Sequence, residues 1–162
     1  MHAKLKKLLP LKILLGPKGW IEDPNIIEPY LIEERGLYEG KSELLLKPSN
    51  TYEVSNILKL CNEHNIKIVP QGGRTGLCGG TIPSDNGLEV MLSLERMNKI
   101  DEFNEENFTI TVEAGCVLRN IQDKVEEKNL LFPLSLASEG SCTIGGNLST
   151  NAGGINVLRY GM

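Results

Sequence analysis

Histidine and paired cysteine are nearly missing from this sequence. It has only His2 and His64, and its four cysteines, Cys61, Cys78, Cys116 and Cys142, include no Cys-x-x-Cys pair. A zinc site needs three or four converging ligands, usually spaced in close pairs, so no metal centre is expected. Scattered cysteines of this kind read as free thiols in a reducing cytoplasm, with a single disulfide as the alternative. Positive charge is not in excess either: 17 Lys+Arg stand against 21 Asp+Glu, for a net charge of −4. That balance offers no basic face to a nucleic-acid backbone. The leucine-rich start, residues 1–15, is interrupted by Lys4, Lys6, Lys7, Pro10 and Lys12 and is followed by no Ala-x-Ala. It therefore does not read as a signal peptide, and it is too short to span a bilayer. A short amphipathic helix packed on the protein is expected, with attachment to the surface of the inner membrane as the alternative.

What is present suits a folded domain. The chain has 162 residues, 40% of them hydrophobic and 23% charged, close to globular averages and long enough to bury a core. After Gly16-Pro17-Lys18-Gly19, the stretch from Trp20 to Gly40 is acidic and weakly periodic, and is expected to wrap the surface with a helical turn or two. Leu44-Leu45-Leu46 predicts a short buried strand. Asn50 followed by Glu53 predicts a helix start, and Val54, Ile57, Leu58 and Cys61 give that helix one apolar face. Ile66 to Val69 predicts a second strand and completes a β-α-β unit. Leu88, Val90, Leu92 and Leu94 alternate with other residues, as do Phe108, Ile110, Val112 and Ala114, which predicts half-buried strands. Lys99 to Phe103 with the turn Asn104–Asn107 suggests a hairpin, and Val117, Leu118, Ile121 and Val125 predict another helix, closed near Asn129. The class expected is α+β.

Two glycine-rich segments carry the chemistry. Directly after the second strand come Gly72, Gly73, Gly76, Gly79 and Gly80, with Arg74, Thr75 and Leu77 between them. Glycine lets the backbone approach a ligand, and successive N–H groups in such a loop form an anion-binding hollow. No lysine occurs in the loop, so it is not a Walker loop. The order Gly-Gly-x-x-Gly-x-x-Gly-Gly followed by Thr81-Ile82-Pro83-Ser84 is not a Rossmann fingerprint opening a helix. It reads as a phosphate cradle of another fold, the alternative being a connector without a ligand. The second segment, Gly140 to Gly154, is built of small residues, amides and hydroxyls. Such residues permit close approach by a flat, extended ligand, which Asn147, Thr150 and Asn151 can hydrogen-bond.

The run Val69-Pro70-Gln71-Gly72-Gly73-x-Thr75-Gly76-Leu77-x-Gly79-Gly80, the run from Glu139 to Gly154, the linking Val112-Glu113-Ala114-Gly115 and the element Arg159-Tyr160-Gly161 together resemble the FAD-linked oxidase family. Its FAD-binding domain is of the vanillyl-alcohol-oxidase type, and the resemblance is to D-2-hydroxyglutarate and D-lactate dehydrogenase-like members. It extends over most of the chain, including Gly16–Gly19 and Arg35-Gly36-Leu37-Tyr38.

The resemblance implies a β-α-β subdomain followed by a mixed-sheet subdomain. It implies FAD-pyrophosphate contacts from Gly72 through Leu77 and from Gly79 and Gly80, with Arg74 either pairing a phosphate or standing in solvent. It further implies flavin and ribityl contacts from Gly140, Ser141, Ile144, Gly145, Asn147, Thr150 and Asn151. The typical member has Asn in place of Arg74 and Val in place of Cys78. Some relatives attach the flavin through a histidine in the first loop; none occurs here, so non-covalent FAD is implied. The implied reaction is oxidation of a 2-hydroxy acid by hydride transfer to FAD. The substrate arginine, the base and any metal ligands of such relatives lie in a C-terminal half, so no catalytic residue is assigned. Residues 1–40 are expected to be a wrapping segment and 41–162 an incomplete FAD-binding domain. Its partner is either a separately encoded C-terminal half or none, the chain then being a non-catalytic remnant. The location expected is cytoplasmic.

Overall fold

The computed structural model describes residues 2–161, with side chains from Lys7 onward. The chain forms two compact units, Met1–Arg96 and Met97–Met162.

In the first unit, α1 (His2–Leu15) packs on α3 (Thr51–His64) through the buried Leu8 and Leu11, leaving Leu9 and Ile13 exposed. Asn50 caps α3, its side chain accepting the Glu53 N–H at 2.9 Å. The Glu53 carboxylate accepts from the Ser49 N–H and hydroxyl instead of closing the reciprocal box. Asn65, at φ 51°, ends the helix in the left-handed conformation. Ile57 and Cys61 face the core as the spacing predicts. Leu58 is half-exposed, and Leu60 takes the place beside the core.

The sheet runs β1 (Trp20–Ile21), β2 (Leu45–Leu46), β4 (Glu89–Ser93), β3 (Lys67–Gln71). β2 and β3 each lie parallel to β4, while β1 is antiparallel to β2. The β-α-β unit is therefore present, but its two strands do not touch; β4 fills the place between them. Both faces of β4 are covered, and Val90, Met91, Leu92 and Ser93 are all buried. Leu44, Leu46, Val90 and Leu92 face the helices, whereas Leu45 and Met91 face Ile27, Ile21, Tyr30 and Leu31. The expected half-buried strand is thus buried on both sides, as strands inside parallel sheets are. The wrapping segment supplies an edge strand and, through α2 (Pro24–Ile27) and the 3-10 turn Glu28–Tyr30, the cover of the second face.

In the second unit, β5 (Ile100–Asn104) and β6 (Thr109–Val112) form an antiparallel hairpin with a bulge between Ile100 and Phe103. Phe108, expected to begin the strand, sits in the turn at φ 52° and is exposed. α4 (Leu118–Glu126) buries Leu118, Ile121 and Val125, and Asn129 at φ 56° follows its end. Two short helices complete the unit, α5 (Ile144–Ser149) and α6 (Val157–Tyr160). The mixed sheet lies in the first unit, and among the described residues the second carries the hairpin and isolated bridges. The fold is α+β.

Candidate FAD site

The glycine loop leaves the carboxyl end of β3 in the middle of the first unit. Two of its carbonyls, and that of Thr81 just beyond it, accept hydrogen bonds. The Leu77 carbonyl accepts from the Arg35 guanidinium, that of Gly79 from the Ile82 N–H, and that of Thr81 from Gln71 Nε2. Its amides are not held: among the described residues, no backbone N–H from Gly72 through Gly80 donates a hydrogen bond within the chain. A run of backbone donors with no acceptor of their own is what an anion-binding loop requires.

Glycine serves two purposes here. Gly79 has φ +70°, and a Cβ on it would stand 2.8 Å from the Tyr38 ring, so the fold itself requires glycine. At Gly76 and Gly80 a Cβ would meet nothing within 4 Å. No packing inside the chain explains those two glycines, and the space they leave is open to a ligand.

Arg74 folds back on the covering segment. Its guanidinium lies 4.1 Å from the Tyr30 ring centroid and donates to the Pro29 carbonyl at 2.7 Å. Thr75 is partly buried, and Leu77 and Cys78 are exposed.

Behind the loop lies a polar network that nothing in the motif spacing marks. Gln71 is buried at 1% exposure, and its Nε2 donates to both Tyr30 O at 2.9 Å and Thr81 O at 2.6 Å. The Tyr30 hydroxyl donates to Glu95 Oε2 at 2.9 Å, and Glu95 also pairs with Lys47. Burial works to raise the Glu95 carboxyl, but hydrogen bonds from Lys47, Tyr30 and Ser93 outweigh it and hold it below the ordinary carboxylate range. Burial, then the bond to Glu95, pushes the Tyr30 phenol above its ordinary value.

In the second unit the Gly140–Gly154 segment is not extended; it folds around α5. Gly145 packs against the end of β6, where a Cβ would come 2.7 Å from the Ala114 Cβ. Gly140 faces open space and Ser141 is exposed. The Thr150 hydroxyl, expected to serve a ligand, donates to Gly146 O at 2.9 Å and so closes the helix. Asn147 is buried at 6% exposure, and its Nδ2 has no partner. It lines a cleft of about 320 Å³ together with Phe132, Leu134, Ile144, Asn151 and Tyr160. A buried amide donor without an acceptor costs about 1–3 kcal/mol. Ile144, Asn147 and Asn151 are thus brought to one surface, while Gly145 and Thr150 serve the helix.

Residues 42–162 match the sequence family described as "FAD binding domain". The chain is similar to the mitochondrial D-2-hydroxyglutarate dehydrogenase of Arabidopsis thaliana, 44% identical over 150 residues that cover 93% of this chain and 26% of that one. It is also similar to the D-lactate dehydrogenase of Anaerostipes hadrus, at 36% identity over 99% of this chain and 32% of that one. Among solved structures, an alkyldihydroxyacetonephosphate synthase superposes with a TM-score of 0.87 at 21% identity, over 97% of this chain and 31% of that chain. The chain therefore spans about a quarter to a third of the length of the relatives it matches. The glycine loop with its unclaimed amides fits the cofactor that this match names. The chain belongs to the FAD-binding-domain family, and FAD is its cofactor.

Proposed function

We propose that the chain holds FAD without a covalent bond and that, in the complete protein, it serves the oxidation of a 2-hydroxy acid of the D-2-hydroxyglutarate or D-lactate type. The observation that carries this reading is the run of free N–H groups from Gly72 to Gly80, set against carbonyls that accept hydrogen bonds. These amides take the pyrophosphate. Gly76 and Gly80 let it approach, and Gly72, Gly73, Thr75 and Leu77 supply the rest of the hollow. In the second unit, Asn147 Nδ2 and Asn151 serve the flavin and ribityl chain, with Gly140, Ser141 and Ile144 beside them. FAD, when bound, supplies the hydride acceptor, and the protein's part is binding and orientation. The substrate class rests on the named relatives, and no residue of this chain is assigned to proton removal.

The second unit exposes Leu148, Ile155 and Leu158, the last at 99%. Three large apolar side chains this exposed in one small unit favour cover by further polypeptide, continuous with this chain or separately encoded. No helix among the described residues is long and apolar enough to cross a membrane. The three buried free thiols and the exposed Cys78 favour a reducing compartment such as the cytoplasm.

The test is titration of the purified chain with FAD, read as quenching of flavin fluorescence, alone and with the C-terminal part of a relative added. Saturable uptake of FAD, and reduction of bound flavin by D-2-hydroxy acids only in the combined sample, is expected. Absence of uptake in both samples would overturn the reading.

A further inference from the structure

Residues 33–38 lie before the stretch that matches the FAD-binding family, yet they touch the glycine loop at two points. Ile32 and Glu39 pair as a bridge, and the Glu33 N–H donates to Tyr38 O at 2.9 Å, so the segment is a tight hairpin turned at Gly36, φ +69°. Its centre is Glu33, 3% exposed, which accepts from Arg35 Nε at 2.8 Å, the Arg35 N–H at 3.2 Å and the Leu37 N–H at 3.3 Å. With Nε held by Glu33, the Arg35 fork has one direction left, and its Nη2 donates to the Leu77 carbonyl. The Tyr38 ring meanwhile lies where a side chain on Gly79 would stand.

We propose that Arg35, aimed by Glu33, is a positioning residue for FAD: it fixes the Leu77–Cys78 peptide so that the Cys78 N–H faces away from the hairpin, toward the pyrophosphate. The argument is one of peptide geometry. The peptide is planar and trans, so its N–H points opposite to its carbonyl. A donor that captures the carbonyl from outside therefore sets the direction of the amide. Tyr38 against Gly79 fixes the next residue, and Ile82 N–H holds the Gly79 carbonyl at 3.0 Å. The loop is ordered from its back, and its N–H face is left for the anion. Preorganisation of this kind raises affinity by removing the cost of ordering the loop on binding. The inference rests on the FAD reading above for its ligand, but the ordering of the loop can be read without any ligand.

The test uses the full chain, 15N-labelled, as wild type and Arg35→Ala. Arg35 is half-exposed and belongs to neither core cluster, but its removal leaves the buried Glu33 carboxylate without its cation, so the variant is expected to melt lower while keeping the fold. Backbone relaxation reads picosecond-to-nanosecond order residue by residue. The expected result is a fall in order parameter at Leu77, Cys78 and Gly79, with β3 and β4 at wild-type values. In the parallel FAD titration, affinity falls about tenfold, the order expected for loss of a charge-assisted hydrogen bond. Unchanged order parameters in the loop overturn the proposal, and so does a loss of order spread over the whole unit. If the wild type binds FAD, equal affinity in Arg35→Ala overturns it too. A wild type that binds no FAD counts against the FAD reading, and the relaxation data then decide the role of Arg35.

Discussion

Arg74, the one arginine of the glycine loop, stacks its guanidinium on the Tyr30 ring at 4.1 Å from the centroid while its backbone sits at φ 56°. Two opposed effects meet in this residue: a favourable contact with the covering segment and a left-handed backbone that ordinary side chains avoid. Arg74→Asn loses the contact, worth about 1 kcal/mol, but tolerates the backbone. Arg74→Ala loses the contact and is left with the strain. The urea midpoint is expected to fall with both variants, and further with Ala.

The glycines of the two glycine-rich segments separate into two kinds. Gly76→Ala places a methyl where the chain has no neighbour, so stability is expected to hold within about 0.5 kcal/mol while FAD binding weakens. Gly145→Ala drives a methyl into Ala114 and is expected to destabilise the second unit by about 1–3 kcal/mol. Melting curves and FAD titrations of the two variants distinguish them.

The Tyr30–Glu95 pair predicts two limbs of a pH profile. The Glu95 carboxyl is depressed in the folded chain, so its contribution is present above the ordinary carboxylate range and lost as pH falls through and below it. Glu95→Gln should therefore lower the urea midpoint at neutral pH, with the difference from wild type vanishing in acid. The Tyr30 phenol is raised, so its contribution is present below its ordinary value and lost as pH climbs through the raised one. Tyr30→Phe should remove that alkaline limb.

Thiol chemistry gives an independent reading of the loop. Burial pushes the Cys61 thiol up to about 11 and raises that of Cys116, and Cys142 is buried at 3% exposure. Cys78 is exposed. Alkylation of the native chain should label Cys78 first, the others only in denaturant, and FAD should slow it. Mass mapping of the labelled peptides checks this.

The two units also predict different responses to apolar truncation. Leu11→Ala, at 0% exposure between α1 and α3, is expected to cost about 2–5 kcal/mol. Leu158→Lys, at 99% exposure, is expected to change stability by less than about 0.5 kcal/mol and to improve solubility. Denaturation and light scattering measure the two.

The central strands, α3, α4 and both glycine segments were legible in the sequence because they follow from short-range rules, whereas β1, α5 and α6 were not. Asn50 and Glu53 announce α3, the alternation around Val112 announces a strand, and five glycines after β3 announce a loop of close approach. What was not legible depends on distant partners. Leu58 fits the helical spacing as well as Leu60 does, and only the position of the sheet decides which is buried. The double burial of β4 follows from the segment holding Ile27 and Tyr30, whose own pattern is weak. The role of Gln71 needs the carbonyls of Tyr30 and Thr81, far apart in sequence, and no spacing rule contains them. Arg74 was placed near a phosphate or in water because a loop arginine has no local reason to fold back; Pro29 and Tyr30 provide a distant one.

The place of β4 between β2 and β3 bears on how the protein reaches this state. β2 and β3 cannot zip together once α3 has formed, because each finds its partner only when a strand more than fifteen residues beyond β3 arrives. Closing that span is an entropic cost met before any ladder bond forms, which slows folding. The glycine loop is the first part of the span, so it is closed in the same event that completes the sheet. A slow refolding phase should therefore end with the loop and β4 ordered together, and the unfinished sheet before that moment has no cofactor loop to offer.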